Sequence, residues 1–152
     1  MEEQVLQKQE EKAEKKRKAK IIQTVGKRKR SIARATIKEG KGNITINRTP
    51  LDFIGPCFKQ MRIKEAVMIS GDLAKRVDIS VIVSGGGIWG QADASRTAIA
   101  NALVNFSKDS NLKQAYIDYD RTLLISDARR TEPHKPSRSK DGPRATKQQS
   151  KR

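Results

Sequence analysis

The sequence predicts one α+β domain with a charged segment at each end. Apolar and polar residues alternate as in a strand over 31–38 and 77–84, and apolar residues recur at helical spacing over 59–70 and 92–106. The third observation is the charge. The 152 residues carry a formal net charge of +16, yet 51–128 is neutral, whereas 21–50 and 129–152 each carry +7. A strongly basic chain indicates nucleic acid or an anionic membrane surface as partner, and a neutral middle between basic flanks favours a folded core with ends that face RNA or DNA.

Composition excludes several classes of protein. No apolar run approaches the roughly 18 to 20 residues of a spanning helix, and the first 20 residues contain no apolar stretch of a secretory signal. The single cysteine, Cys57, excludes an internal disulfide and fits a reducing compartment. His134 is the only histidine, so no metal site, no cofactor and no catalysis by a Cys–His or Ser–His arrangement is expected.

Three segments follow from composition. Residues 1–20 have Glu–Lys pairs at helical spacing but no apolar stripe, which predicts a solvated helix or a partly disordered extension. Residues 21–128 form the expected globular core. Residues 129–152 hold three of the five prolines, one aliphatic residue and no aromatic one. This basic tail is expected to be disordered in free solution and to become ordered on a partner.

Within the core, the elements can be placed in order. A short strand over 21–25 is expected to end at Gly26, and strands over 31–38 and 43–47 are expected to pair as a hairpin. The alanines of the first hairpin strand should let a helix approach closely. Helices are predicted over 59–70, ending at Gly71, over 92–106, and for a turn or two over 112–119. The strand over 77–84 lies between the first two helices, and 122–126 carries the last apolar cluster.

Basic side chains cluster where the predicted hairpin begins. They are Lys27, Arg28, Lys29, Arg30 and Arg34. Four consecutive cations cannot all point the same way, but a turn can fan them around a phosphate groove; the alternative is a solvated or localisation-signal-like run. The tail spaces further cations with Pro, Ser and Gly, and His134 among them is expected to contact nucleic acid. Because the tail has no aromatic platform, it favours recognition of backbone and shape over reading of bases.

Two further motifs have competing interpretations. Gly85–Gly90 matches G-x-G-x-x-G between a strand and a helix, but an alternating strand is not the doubly buried strand of a dinucleotide-binding fold. The glycines then allow a sharp turn and a close approach to a neighbouring strand or to a phosphate backbone. Asp118 and Asp120 could form a hydrolytic pair, but capping or solvating an exposed turn is the better interpretation.

Four ordered stretches of the sequence resemble the universal small-subunit ribosomal protein number nine family. They are Val25–Ala35 (VGKRKRSIARA), Ser84–Ala92 (SGGGIWGQA), Ser126–Arg130 (SDARR) and Ser150–Arg152 (SKR), and Glu132–Lys140 looks archaeal. The resemblance covers about residues 21–152. It departs from many relatives in having no tyrosine near the C-terminus, which puts a stacking contact there in doubt.

The resemblance implies a fold, a place and a set of contacts. The fold is a two-layer α+β sandwich, a four-stranded sheet covered on one face by helices, with a left-handed βαβ crossover. The implied location is the head of the small ribosomal subunit, and hence the cytoplasm, beside other head proteins. The resemblance implies neither a membrane partner nor enzymatic activity. Implied contacts with peptidyl-site tRNA are Ser150, Lys151 and Arg152. Implied contacts with ribosomal RNA are Lys27, Arg28, Lys29, Arg30, Arg34, Gly85, Gly86, Gly87, Arg129, Arg130, His134, Lys135, Arg138, Lys140, Arg144 and Lys147.

Two other classes fit the residues. A free architectural nucleic-acid-binding module would show the same charge pattern, and an enzyme could use the glycine-rich loop for a nucleotide.

Overall fold

The computed structural model describes residues 21–130, which form a five-stranded sheet and three α-helices. The strands are β1 (Ile22–Arg28), β2 (Ser31–Glu39), β3 (Ile44–Ile46), β4 (Thr49–Pro50) and β5 (Val77–Ser84). The helices are α1 (Cys57–Ser70), α2 (Ile88–Ser107) and α3 (Ser110–Tyr119), and 3-10 turns span Leu51–Phe53, Gly71–Arg76 and Arg121–Leu123. The predicted α+β class is confirmed. The sheet has five strands where the resemblance implies four, because the two residues of β4 pair with β3.

The order of the strands is β1-β2-β5-β3-β4. The predicted hairpin between β2 and β3 is therefore wrong, since β5 lies between them and β2 forms its hairpin with β1. The physical reason is length: β5 pairs with eight residues of β2, whereas β3 is three residues long. The loop after β2 instead crosses to the start of β5, where the Asp78 carboxylate accepts the backbone N–H groups of Lys41 and Asn43 at 2.9 and 3.0 Å. These hydrogen bonds lower the pKa of Asp78, and the one from Asn43 has the largest effect.

The core lies between the sheet and α2, which packs on β1, β2 and β5. Ala33 and Ala35 of β2 are fully buried there, which confirms that alanines let a helix approach. The predicted break at Gly26 is wrong, because β1 continues through Gly26 to Arg28. A Cβ atom at Gly26 would lie 2.1 Å from the carbonyl oxygen of Ala94 in α2. This glycine is therefore a contact point between strand and helix rather than a chain break.

The helices agree with the predictions to within a few residues. Gly71 ends α1 with φ 54° and donates its N–H to the carbonyl of Met68, as predicted. Helix α2 begins four residues before its predicted start, because its first residues are exposed and so add nothing to the apolar spacing. In α3 the buried Tyr116 donates its hydroxyl to the carbonyl of Ala66 at 2.6 Å. No helix within residues 21–130 is long and apolar enough to cross a membrane.

Within residues 21–130, one face of the sheet has no helical layer. Side chains alternate between buried and exposed along β2 and β5, and the buried ones face the helices. Val25, Arg34 and Ile82 lie side by side on the exposed face of three adjacent strands. We call this exposed surface of β1, β2 and β5 the bare face.

Candidate nucleic-acid interface

The predicted basic cluster lies on the hairpin turn between β1 and β2. Residues Lys29 and Arg30 form the turn, with φ 53° at Lys29, and both side chains are exposed. Successive strand side chains point to opposite faces, so Lys27 lies on the bare face and Arg28 on the helical face. The four consecutive cations thus fan out in different directions, as the sequence predicts.

Arg34 lies in the middle of the bare face. Its neighbours across the sheet are Val25 on β1 and Ile82 on β5, and all three are exposed. Within residues 21–130, Arg34 has no ion pair, and the same holds for Lys27, Lys29 and Arg30. These four cations are free to pair with an external anion. We call them the free cations.

Arg28 has internal partners instead. Its side chain is 18% exposed, and its guanidinium pairs with the carboxylates of Asp93, at 3.5 Å, and Asp127. Asp93 belongs to α2, and Asp127 directly precedes the basic tail. The structure therefore separates Arg28 from the four free cations, although all five residues were predicted to act together.

A network of ion pairs that the sequence did not reveal lies behind Arg28. Arg62 of α1 donates to Glu65 at 3.0 Å and to Asp93 at 3.2 Å. Arg96 of α2, only 2% exposed, pairs with Glu65 and, at 2.9 Å, with Asp120. The network ties α1, α2 and the segment after α3 together. Sequence spacing could not show it, because its members come from separate elements.

The two carboxylates considered as a hydrolytic pair have separate structural roles. Asp118 accepts a hydrogen bond from Gln114 on the same helix. Asp120 accepts the backbone N–H of Thr122 at 2.8 Å, which caps the turn that follows, and it also pairs with Arg96. Partial burial acts to raise the pKa of Asp120, but the hydrogen bonds from Thr122 and Arg96 outweigh it and lower the pKa. The contact of Asp120 with Thr122 agrees with the capping interpretation, whereas Asp118 caps no turn among the described residues.

The start of the basic tail, which we call the tail root (residues 127–130), is held against the hairpin. Asp127 accepts the backbone N–H of Arg129 at 2.8 Å and its guanidinium at 2.6 Å, and also pairs with Arg28. The hydrogen bonds from Arg129 are the main cause that lowers the pKa of Asp127 well below its usual range. Arg130 is exposed. The remaining predicted contacts lie outside the described residues: His134, Lys135, Arg138, Lys140, Arg144, Lys147, Ser150, Lys151 and Arg152.

The glycine-rich loop makes its close approach to the neighbouring strand. Gly85 and Gly86 have φ values of 75° and 65°, which favour glycine. A Cβ atom at Gly86 would lie 2.1 Å from the hydroxyl of Ser31, and that hydroxyl donates to the carbonyl of Gly85 at 2.9 Å. Of the two predicted approaches, the one to the strand is confirmed. Gly87, in contrast, has open space where its Cβ would be.

Fold and surface together define a class of protein. Over the described part of the chain it is a small basic α+β protein, with helices on one face of the sheet, and with free cations along the bare face and the adjoining hairpin turn. The chain belongs to the ribosomal protein S9/S16 family, whose model matches residues 26–152.

Curated relatives agree with this membership. The chain is 51% identical over 133 residues to a small ribosomal subunit protein uS9 of Methanococcus maripaludis, an alignment that covers 88% of this chain and 99% of the relative. It is 50% identical, over the same shares, to the protein of that name from Methanococcus vannielii. These organisms are archaea, so the archaeal character predicted from the tail is confirmed.

Proposed function

We propose that this protein is a constituent of the small ribosomal subunit, where its core binds ribosomal RNA in the head beside other head proteins. The single observation that carries the proposal is family membership over residues 26–152. The family resemblance also implies a left-handed βαβ crossover, and the parallel strands β3 and β5, joined through α1, are the pair to which we assign it. A role in the ribosome also accounts for a chain with a net charge of +16.

The free cations are the part of the core that meets RNA in this proposal. Lys27 and Arg34 lie on the bare face, and Lys29 and Arg30 extend it around the hairpin turn. Unpaired cations gain counterion-release free energy from each phosphate that they neutralise. Arg28 supports this surface indirectly, because it holds Asp127 and hence the tail root beside the turn.

In the proposal, the basic tail extends this surface. Asp127 contacts both Arg28 and Arg129, so the tail starts at the corner where the hairpin turn lies. In the proposal, residues 129–147 neutralise ribosomal RNA, and Ser150, Lys151 and Arg152 contact the anticodon stem-loop of peptidyl-site tRNA. One continuous basic surface then serves assembly, and only the last residues reach the tRNA.

A sucrose gradient tests the ribosomal role. The tagged protein should sediment with small subunits at moderate salt and should leave that fraction after ribonuclease treatment. Sedimentation at the top of the gradient without ribonuclease would contradict the proposal and would favour a free nucleic-acid-binding module.

A pair of variants tests the surface. Arg34→Ala should lower the log–log salt slope of binding to small-subunit ribosomal RNA by about 0.7 to 0.9, the contribution of one phosphate. The matched control is Lys113→Ala, an exposed cation on α3, which should leave the slope unchanged. Equal slopes for the two variants would contradict the assignment of the bare face.

The tRNA contact needs its own test. Deletion of residues 150–152 should leave incorporation into subunits intact and weaken peptidyl-site tRNA binding. Deletion of residues 129–152 should impair incorporation itself. Wild-type tRNA affinity after the short deletion would contradict the role of the tail end.

A further inference from the structure

A groove beside the hairpin turn combines cations with an exposed aromatic ring. It encloses about 500 Å³ between the turn and the start of α2. Its lining residues are Lys29, Arg30, Ser31, Gly86, Gly87, Ile88, Trp89 and Gly90. Ser31 is used internally by its hydrogen bond to Gly85, so the groups available to a ligand are the two cations, the indole and the glycine backbone.

The indole of Trp89 is exposed and lies beside a second aromatic ring. It is 62% exposed, although tryptophan is among the side chains that gain most from burial. Phe58, at the start of α1, packs against it with ring centroids 6.5 Å apart and an angle of 34° between the planes. The exposed indole can therefore accept a further flat group that stacks on it.

The charge around the groove selects an anionic partner. Lys29 and Arg30 have no ion pair within residues 21–130, and none of the lining residues is acidic. A flat apolar ring next to two free cations complements a nucleotide, which joins a flat base to a phosphate. The bases of an RNA duplex are stacked on one another and cannot present a face to the indole, so the nucleotide must be unpaired.

We propose that this groove binds an unpaired RNA nucleotide, with its base stacked on Trp89 and its phosphate held by Lys29 and Arg30. The inference rests on the proposed RNA-binding function and adds to it the class of RNA element recognised. It also gives the core a stacking platform, which the basic tail lacks.

The single tryptophan of the chain makes the site directly observable. Fluorescence of the full-length protein, excited at a wavelength that its two tyrosines do not absorb, reports on Trp89 alone. The probe is a single-stranded oligoadenylate of about ten nucleotides, the scale of one single-strand site. The control strand has the same length and phosphate count but is abasic. The oligoadenylate should quench the fluorescence, and the abasic strand should bind through its charge without comparable quenching.

Variants give an independent measurement. Trp89→Ala should weaken binding of the oligoadenylate, measured by anisotropy of a labelled strand, by about 5- to 150-fold, the effect of losing one stacked base. Trp89→Phe keeps a stacking ring and should retain most of the affinity. The matched control is Phe53→Ala, an aromatic residue that is even more exposed than Trp89 and does not line the groove. Far-ultraviolet circular dichroism verifies that each variant is folded.

The outcomes separate this inference from the proposed function. Binding in anisotropy without base-dependent quenching, and with equal affinities for Trp89→Ala and Phe53→Ala, would overturn the nucleotide site and leave RNA binding intact. Absence of binding to either strand would contradict RNA binding itself. If Trp89→Ala kept its RNA affinity but lost contact with a neighbouring protein in reconstituted subunits, the groove would be a protein-docking site and the inference would be wrong.

Discussion

Substitution of Gly26 by alanine tests the packing on which the whole basic surface depends. The added Cβ atom would lie 2.1 Å from the carbonyl oxygen of Ala94 and 2.6 Å from the backbone nitrogen of Ala98. Ordinary contacts of a Cβ begin at 3.4 Å, so α2 would have to move away from β1 by about the difference between 3.4 and 2.1 Å. Both opposing atoms are backbone, and no side-chain rotation can relieve the clash.

The expected cost follows from this geometry. Overpacking a core usually costs about 1–3 kcal/mol, and a clash with rigid backbone belongs at the upper end, about 3 kcal/mol. Movement of α2 would also strain the hydrogen bond of 2.8 Å from the Thr24 hydroxyl to the carbonyl of Ala98. At roughly 4 °C per kcal/mol for a core of this size, Tm should fall by about 12 °C.

Thermal unfolding of the full chain, followed by circular dichroism, measures this change. The matched control is Gly87→Ala, since nothing lies within 4 Å of a Cβ there and its φ of −106° suits alanine. The free energy of unfolding of the control should stay within about 1 kcal/mol of the wild type, because two effects oppose each other. Alanine is a poorer residue than glycine at the start of a helix, but it reduces the freedom of the unfolded chain. Equal Tm values for the two variants would refute the close approach of α2 to β1.

Three further predictions concern buried or half-buried polar groups. Arg96→Ala should lower the free energy of unfolding by about 3 kcal/mol in a urea titration, because its carboxylate partners lose their cation; a loss below about 1 kcal/mol would contradict a structural role. Tyr116→Phe should cost about 1 kcal/mol in the same titration, since the carbonyl of Ala66 loses its donor, and an unchanged midpoint would count against that bond. The lowered pKa of Asp120 means that its contribution is complete above about pH 4 and is lost as the pH falls toward the folded-state value. Asp120→Asn should therefore be less stable than wild type at pH 7 and should converge with it in acid; a constant difference across that range would argue against the ion pair.

Local patterns predicted the elements well where one face of an element is buried. Strand β5 begins and ends where its alternation does, and Gly71 ends α1 as predicted. Pairing was predicted wrongly because a turn-rich loop after β2 looks like a hairpin, although it crosses to the start of β5. Gly26 was misinterpreted for a related reason: the need for a close contact with α2 is invisible in the strand itself.

In the candidate site, too, the sequence identified local features but not the contacts between distant residues. Composition identified the basic cluster, but Arg28 is indistinguishable from its neighbours in the sequence. Only its contact with Asp93 and Asp127 sets it apart. Trp89 appeared in sequence only as part of a glycine-rich motif, and its position beside Lys29 and Arg30 depends on the loop meeting the hairpin turn.

The sequence by itself determined the distribution of charge and the one-sided character of the main strands. Both are properties of composition and of period-two spacing, and neither depends on which strands become neighbours. Only the tertiary structure decided which cations remain free and where the tail begins. Those outcomes depend on ion pairs and close contacts between residues far apart in the chain. The contact between Arg28 and Asp127 brings the hairpin turn and the start of the basic tail, which are far apart in sequence, to one corner of the described structure.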